Sequence, residues 1–166
     1  MQTKSKQQME QQYQVEQQVL ADIPVAVVSH KGDPAKLGAS IGRIIAWREK
    51  ERLPPQLART FNLLYADPAT CAPDAFQMDI CCEYPGRVEE NDFGVEDGLI
   101  PGGNFAVLRY VGDDAGLTDA INYLCRDWLA QSQQQARSAP LMLERVKFFP
   151  DVPVHQAITD ILLPLN

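Results

Sequence analysis

His30-Lys31-Gly32-Asp33-Pro34-Ala35-Lys36-Leu37-Gly38-Ala39-Ser40-Ile41 recurs, at an offset of 80, as Tyr110-Val111-Gly112-Asp113-Asp114-Ala115-Gly116-Leu117-Thr118-Asp119-Ala120-Ile121. Gly, Asp, Ala, Leu and Ile coincide at that one offset. Further on, Trp47 answers Trp128, Tyr65-Ala66-Asp67 answers Phe149-Pro150-Asp151, and Asp79-Ile80 answers Asp160-Ile161. Loops of unequal length are expected to account for the small changes of offset. A repeat of this length is one supersecondary unit used twice, and the two copies must bury their apolar faces against each other. The cleft where they meet is a natural ligand site.

Each copy reads as strand, helix, strand, strand. Val15 to Leu20 and Val25 to Ser29 are expected as strands, with Asp22-Ile23-Pro24 interrupting them. Gly32-Asp33-Pro34 ends the second, Asp33 offering a helix cap and Pro34 a first-turn residue. Leu37, Ile41, Ile44, Ile45 and Arg48 then recur at helical spacing, carrying Trp47 to the same side, until Leu53-Pro54-Pro55. Phe61 to Tyr65 and Phe76 to Glu83 follow as strands around an Asp67-Pro68 turn, and residues 85–98 as an acidic, Gly-containing loop. The second copy opens at Ile100-Pro101-Gly102-Gly103. It has a strand over Asn104 to Tyr110, a helix from Leu117 towards Ala130 capped by Asp113, and strands over Leu141 to Phe149 and Ala157 to Leu163. The fold class is therefore α+β, two βαββ repeats, the first over about residues 15–84 and the second over about 99–166. Residues 1–14 are crowded with Gln, Lys and Glu and read as a polar tail or linker.

A chain of 166 residues supports one domain with a proper core. No apolar run approaches a membrane span and the N-terminus lacks a signal-peptide pattern, so a cytoplasmic location without membrane contact is expected. A net charge of -7 argues against this domain gripping nucleic acid directly. Cys71, Cys81, Cys82 and Cys125 form no CxxC pair and make no ligand spacing with His30 or His155, so neither a metal nor another cofactor is expected and the thiols read as buried and reduced. His30 reads as a rim residue, His155 as solvated, and Asp79 and Asp160 as structural hydrogen-bonding groups.

The sharpest chemical clue lies in Leu141-Met142-Leu143-Glu144-Arg145-Val146-Lys147-Phe148. Side chains alternate across a strand, so Glu144 shares a face with Met142, Val146 and Phe148, while Arg145 and Lys147 mark the other face as partly solvated. A carboxylate on an apolar row needs a cation or hydrogen bonds, supplied by the fold or by a ligand. The first copy offers Thr60 and Phe61 at the corresponding positions, so the scaffold does not demand Glu144. Trp47, Phe61, Tyr65, Phe105, Tyr110, Tyr123, Trp128 and Phe148 are spread over both copies. Most are expected as core, and those flanking the cleft would offer ring faces to a cation beside Glu144 and Met142. On this reading the site comprises these aromatics with Glu144 and Met142, and Glu144→Gln should weaken binding of a flat, lipophilic cation.

With the repeat and the strand glutamate in view, the chain resembles the gyrase-inhibitor-like superfamily, which includes the effector-binding domains of AraC-type and related multidrug-sensing transcription regulators. The matching stretches are Tyr65-Ala66-Asp67-Pro68, Met78-Asp79-Ile80, Ile100-Pro101-Gly102-Gly103-Asn104-Phe105-Ala106-Val107, Asp127-Trp128-Leu129, Leu143-Glu144 and Thr159-Asp160-Ile161-Leu162-Leu163-Pro164-Leu165. The resemblance implies pseudo-two-fold symmetry, with an antiparallel sheet and two helices flanking a ligand cleft. In drug-sensing members the strand glutamate contacts cationic lipophilic compounds, and Glu144 holds that motif position. Two departures bear on ligand preference: Phe76-Gln77-Met78 stand where the family often carries an arginine, and Val146 replaces the usual aromatic two residues after the glutamate.

The function expected is a non-enzymatic binding module for cationic, lipophilic or aromatic small molecules, alone or as the sensor part of a transcription regulator, with a homodimer left open. Inhibition of DNA gyrase or another protein is the alternative. A small hydrolase ranks below both, because Glu144 has no evident catalytic partner and no Ser–His–Asp or Cys–His set is apparent.

Overall fold

The computed structural model describes residues 13–65 and 72–166; the expectations for residues 1–12, for the match at Ala66-Asp67, for the Asp67-Pro68 turn and for Cys71 lie outside them. The strands are β1 (Val15–Leu20), β2 (Ile23–Lys31), β3 (Thr60–Leu64), β4 (Gln77–Glu83), β5 (Glu96–Ile100), β6 (Gly103–Val111), β7 (Leu141–Lys147) and β8 (Ile158–Leu165). Helix α1 (Leu37–Glu51) connects β2 to β3. Helix α2 connects β6 to β7, running α-helical over Asp114–Asn122, as a π-helix over Tyr123–Trp128 and α-helical again over Leu129–Ser132. The caps form as the sequence indicates: the Asp33 carboxylate accepts from the Ala35 N–H at 2.9 Å and that of Asp113 from the Gly116 N–H at 3.4 Å. Tyr13, the first described residue, is buried against Tyr123 with ring centroids 5.2 Å apart.

All eight strands pair antiparallel in one sheet, in the order β1-β6-β8-β7-β3-β4-β2-β5. The central ladder joins the two repeats. Phe61 faces Glu144, Asn62 faces Leu143 and Leu63 faces Met142, which places an approximate dyad between Asn62 and Leu143. Asp79 pairs with Leu63 and Asp160 with Glu144, so the counterpart of Glu144 is Leu63, not Thr60 or Phe61. The first copy still lacks the carboxylate.

The change of offset from 80 to 81 has a source other than a loop. Equivalent residues stand 80 apart from His30/Tyr110 to Ile44/Leu124, and 81 apart from Trp47/Trp128 to the helix-ending residues Arg52 and Gln133, both left-handed at φ 58 and 61. The π-helical turn of α2 lies between, and a π-turn is one residue inserted into a helix. The offset of 81 then persists at Asp79/Asp160.

Strand β5 was not apparent from Glu96-Asp97-Gly98-Leu99, a segment poor in strand formers, because tertiary pairing recruits it: Ile23 to Val27 of β2 pair with Ile100 to Glu96. Leu20 meets Gly103, the chains kink at Ala21-Asp22 and Pro101-Gly102, and pairing resumes at Ile23 with Ile100 with no residue gained or lost. The β1–β2 segment therefore runs from one end of the sheet almost to the other across two residues. The sheet must curl for the chain to do so. The Asp22 carboxylate accepts from the Gly102 N–H at 2.7 Å to lock the corner.

Both faces of the curled sheet are consequently apolar. The inner face gathers Ile23, Val25, Phe61, Leu63, Cys81, Ile100, Phe105, Val107, Met142 and Leu162. On the outer face, Ile44 and Trp47 of α1 pack on Val28, Ile80 and Cys82, and Leu117 and Leu124 of α2 on Leu108, Leu143 and Ile161. Adjacent Cys81 and Cys82 point to opposite faces, both free and buried. His30 is buried rather than at a rim, between Ser40 Oγ at 2.8 Å and the Asp33 carbonyl at 3.0 Å. His155 is exposed, as expected. None of the described helices is long and apolar enough to cross a membrane.

A Cβ at Gly102 would overlap the Leu20 carbonyl oxygen and the Ala21 backbone at the kink. Gly102→Ala should therefore destabilise the domain by about 1–3 kcal/mol in urea unfolding, the usual cost of overpacking. Unchanged stability would show that the corner is not a close-packed closure.

Candidate ligand-binding cleft

A cleft of about 970 Å³ opens on the outer face of the sheet. One wall is α1, with Ile41, Ile45 and Glu49 and with Arg48 reaching down into the floor, continued by Arg52 and Leu53-Pro54-Pro55. The opposite wall is Asp113 and Asp114 at the start of α2, and a third is the β7–β8 connection with Phe148, Phe149, Pro150, Val154 and Ala157. Thr60, Asn62, Ile80, Arg145 and Thr159 form the floor. Its volume suits a drug-sized ligand, and its walls are mostly apolar.

The polar floor is densely hydrogen-bonded. Arg48, 9% exposed, donates from Nε to the Leu53 carbonyl at 2.9 Å, from Nη1 to Thr60 Oγ1 at 2.8 Å and from Nη2 to the Ala58 carbonyl at 2.9 Å. Burial pushes this guanidinium below its ordinary arginine value, but arginine keeps its charge in proteins. Every hydrogen-bond partner it has among the described residues is neutral. Arg145 donates from Nε to Asn62 Oδ1 at 3.0 Å and from Nη1 to Asp114 at 2.9 Å and to Thr159 Oγ1 at 3.4 Å. Asp114 is itself exposed, so this pair reaches from the floor to the rim.

The dyad turns this floor into a comparison within one molecule. Arg48, Thr60, Asn62, Arg145 and Thr159 are equivalent to Leu129, Leu141, Leu143, Leu64 and Met78. The five counterparts are apolar and pack into the outer cores. Of two symmetry-related places between a helix and the sheet, one is filled by leucines and a methionine, and the other is open over polar groups.

Glu144 lies elsewhere. It shares the inner face with Met142 and Phe61, and its carboxylate accepts from Arg59 Nη2 at 2.9 Å and Nε at 3.2 Å. The Arg59 guanidinium stacks over Phe61, 4.9 Å from the ring centroid, and the carboxylate raises its affinity for its proton. A protein cation and a ligand cation were the two ways to satisfy this carboxylate, and the protein cation occupies it. Phe105 and Met142 are also buried on the inner face. Tyr65 stands on that side, its hydroxyl donating to Asp79 at 2.7 Å. Asp79 and Asp160 are structural acceptors as read, Asp79 also taking Ser29 Oγ at 2.7 Å and Asp160 taking Arg109 at 2.8 Å.

Of the remaining aromatics, Trp47 is buried behind α1, edge-on to Tyr84. Tyr123 and Trp128 of α2 and Tyr110 of β6 pack into the core between α2 and the sheet. Phe148 alone of the expected ligand set lines the cleft. A bulge between Arg145 and Lys147 breaks the alternation there, so Phe148 does not accompany Glu144 to the inner face. The cleft residues that sequence reasoning missed left one signal: Arg48 is a charge on the apolar stripe of α1, as Glu144 is on its row.

Residues 13–166 match the sequence family of the GyrI-like small molecule binding domain. A probable transcriptional regulator, YgiV, of Escherichia coli (strain K12) is 34% identical over 144 residues, covering 86% of this chain and 90% of that protein. DNA gyrase inhibitor 2 of Dickeya dadantii (strain 3937) is 29% identical over 92 residues, 54% of this chain and 57% of the other. Among solved structures, EcmrR in its complex with DNA superposes with a TM-score of 0.76 at 15% identity, over 97% of this chain and 60% of EcmrR. A hydrolase from Listeria innocua superposes at 0.68 and 11% identity, over 92% of this chain and 91% of the other. At these identities the two structures establish the shared fold alone.

If the polar floor serves a ligand and not the frame, installing its symmetry mates should leave the fold intact. Asn62→Leu, Arg145→Leu and Thr159→Met combined should unfold in urea within about 1 kcal/mol of the parent or above it, as apolar replacement of buried ionic groups commonly does. Asn62→Leu alone strands the Arg145 Nε–H and should cost about 1–3 kcal/mol. The reverse ranking would make the floor structural.

Proposed function

The chain belongs to the GyrI-like small-molecule-binding domain family, and from that premise we propose that the cleft beside α1 is its ligand site, taking a drug-sized, largely apolar or aromatic molecule without chemical conversion. The observation that carries this reading is the inequality of the two symmetry-related sites, one packed shut and one open at about 970 Å³. Family membership supports small-molecule binding. Open volume over Asn62 and Arg145, where the other half packs leucine on leucine, supports its location.

The chemistry of the lining favours binding over hydrolysis. Asp114 is paired with Arg145, Asp113 caps α2, and burial with neighbouring negative charge pushes the Cys81 thiol far above its usual range. None of these offers a nucleophile beside a general base. A lipophilic cation would have to meet Glu49 and Asp113 near the rim, because Glu144 is engaged on the other face. A sensor role within a transcription regulator rests on the named homologues, and the ligand cleft stands whether the domain works alone, as a homodimer or beside a DNA-binding partner.

N-phenyl-1-naphthylamine, a neutral fluorophore, provides the test. Ile45→Trp fills the cleft from an exposed α1 position and should weaken dye binding by about tenfold or more, equivalent to roughly 1.4 kcal/mol. Glu144→Gln should leave the titration within about twofold. Weakening by Glu144→Gln with no effect of Ile45→Trp would move the site to the inner face.

A further inference from the structure

We propose that the cleft selects ligands carrying an anionic, hydrogen-bond-accepting end group, a carboxylate or sulfonate on an apolar body, and that Arg48 and Arg145 hold that group against the floor. This rests on the cleft being the ligand site. It reverses the charge that the strand glutamate had implied.

Three observations lead there independently. The first is that no carboxylate among the described residues compensates Arg48. A buried guanidinium is ordinarily matched by a carboxylate, yet its three bonds go to two backbone carbonyls and a hydroxyl. Five N–H groups are available on an arginine, so two remain for a ligand. The second is Arg145, whose Nη2 makes no hydrogen bond among the described residues, while Nε and Nη1 are fixed by Asn62, Asp114 and Thr159. An arginine fixed at Nε and Nη1 holds its remaining Nη2 donors in a set position beside the cleft it lines, and such preorganised donors suit an anionic acceptor.

The third is the internal comparison. The frame manages with Leu129 and Leu64 where this side has Arg48 and Arg145, so neither charge is a requirement of the fold. The carboxylates of the cleft stand at its rim: Glu49 is exposed on α1, Asp113 caps α2 and Asp114 is mostly exposed. The floor thus carries two arginines and no carboxylate, while the mouth mixes these carboxylates with the exposed Arg52. A ligand entering with its apolar body against Ile41, Ile45 and Phe148 would set its acceptor end beside the two arginines.

Three fluorescent probes share one aromatic body and differ in the end group: anthracene-9-carboxylate, the neutral anthracene-9-carboxamide and anthracen-9-ylmethylammonium. Titrated at neutral pH into the unaltered protein, the carboxylate should bind at least about tenfold more tightly than the ammonium, with the amide between them. Arg145→Gln should abolish the carboxylate's advantage and leave the amide's affinity within about twofold. Arg48→Lys, which keeps the charge but loses the fork, should reduce that advantage without removing it. Equal affinities for the three probes, or an advantage of the ammonium, overturn the anion proposal while the cleft reading survives. Loss of all binding in Ile45→Trp confirms that the probes report on the cleft. Failure of every probe to bind the parent sinks the cleft reading and this proposal with it. Should Arg145→Gln fail to fold, the ranking of the probes on the parent decides the matter alone.

Discussion

Everything in this molecule depends on the two kinked strands that the halves exchange. β1 belongs in sequence to the first repeat and pairs with β6 of the second, while β5 precedes the second and pairs with β2 of the first. Because the β1–β2 and β5–β6 connections are two residues each, the two ends of an eight-stranded sheet are drawn together. The exchange covers the edges of β6 and β2 and leaves β1 and β5 as the edge strands. The same constraint creates an enclosed inner face, where Ile23 and Ile100 from the corner meet Phe61 and Met142 from the centre. The helices are thereby left to the outer face, and a ligand cleft beside a helix must also be there.

With its two ends fixed, at the kink and at Asn62/Leu143, the dyad makes the molecule its own control. Frame positions repeat: the caps Asp33 and Asp113, the left-handed helix ends Arg52 and Gln133, the strand aspartates Asp79 and Asp160. Positions that do not repeat cluster. Five polar residues of one cleft floor face five apolar counterparts, and a buried charge with no carboxylate partner carries a desolvation cost that leucine at the same place avoids. Removing one member of such a network strands another, whereas removing it as a set restores the arrangement the other half already uses.

The repeat, both helices, their caps and seven of the eight strands were legible in the residues, because turn chemistry and apolar period act locally. β5 was not, since Glu96-Asp97-Gly98 becomes a strand only when β2 presents an edge to it. The location of the proposed cleft was not legible. Alternation along β7 correctly put Met142 and Glu144 on one face, but it cannot say which face the helices cover, and in a curled sheet both faces are apolar. The rule that a lone charge on an apolar row marks chemistry selected Glu144, whose partner Arg59 comes from just before β3, 85 residues away in sequence. Applied to the stripe of α1, the same rule selects Arg48.

The irregularities of the second half bear on the same asymmetry. A π-turn adds one residue within α2, and a bulge in β7 turns Phe148 towards the cleft instead of the interior. Both lie in the repeat whose helix contributes only its first turn to the cleft wall, while the regular helix α1 supplies Ile41, Ile45, Arg48 and Glu49. The π-turn absorbs its inserted residue, so Trp128 and Leu129 still hold the places of Trp47 and Arg48 and the difference between the helices lies in the residues themselves. Leu129, the counterpart of Arg48, packs into the core. Duplication gives two equivalent places between helix and sheet. One bulge and five polar substitutions make them different, and the difference falls where a ligand would be held.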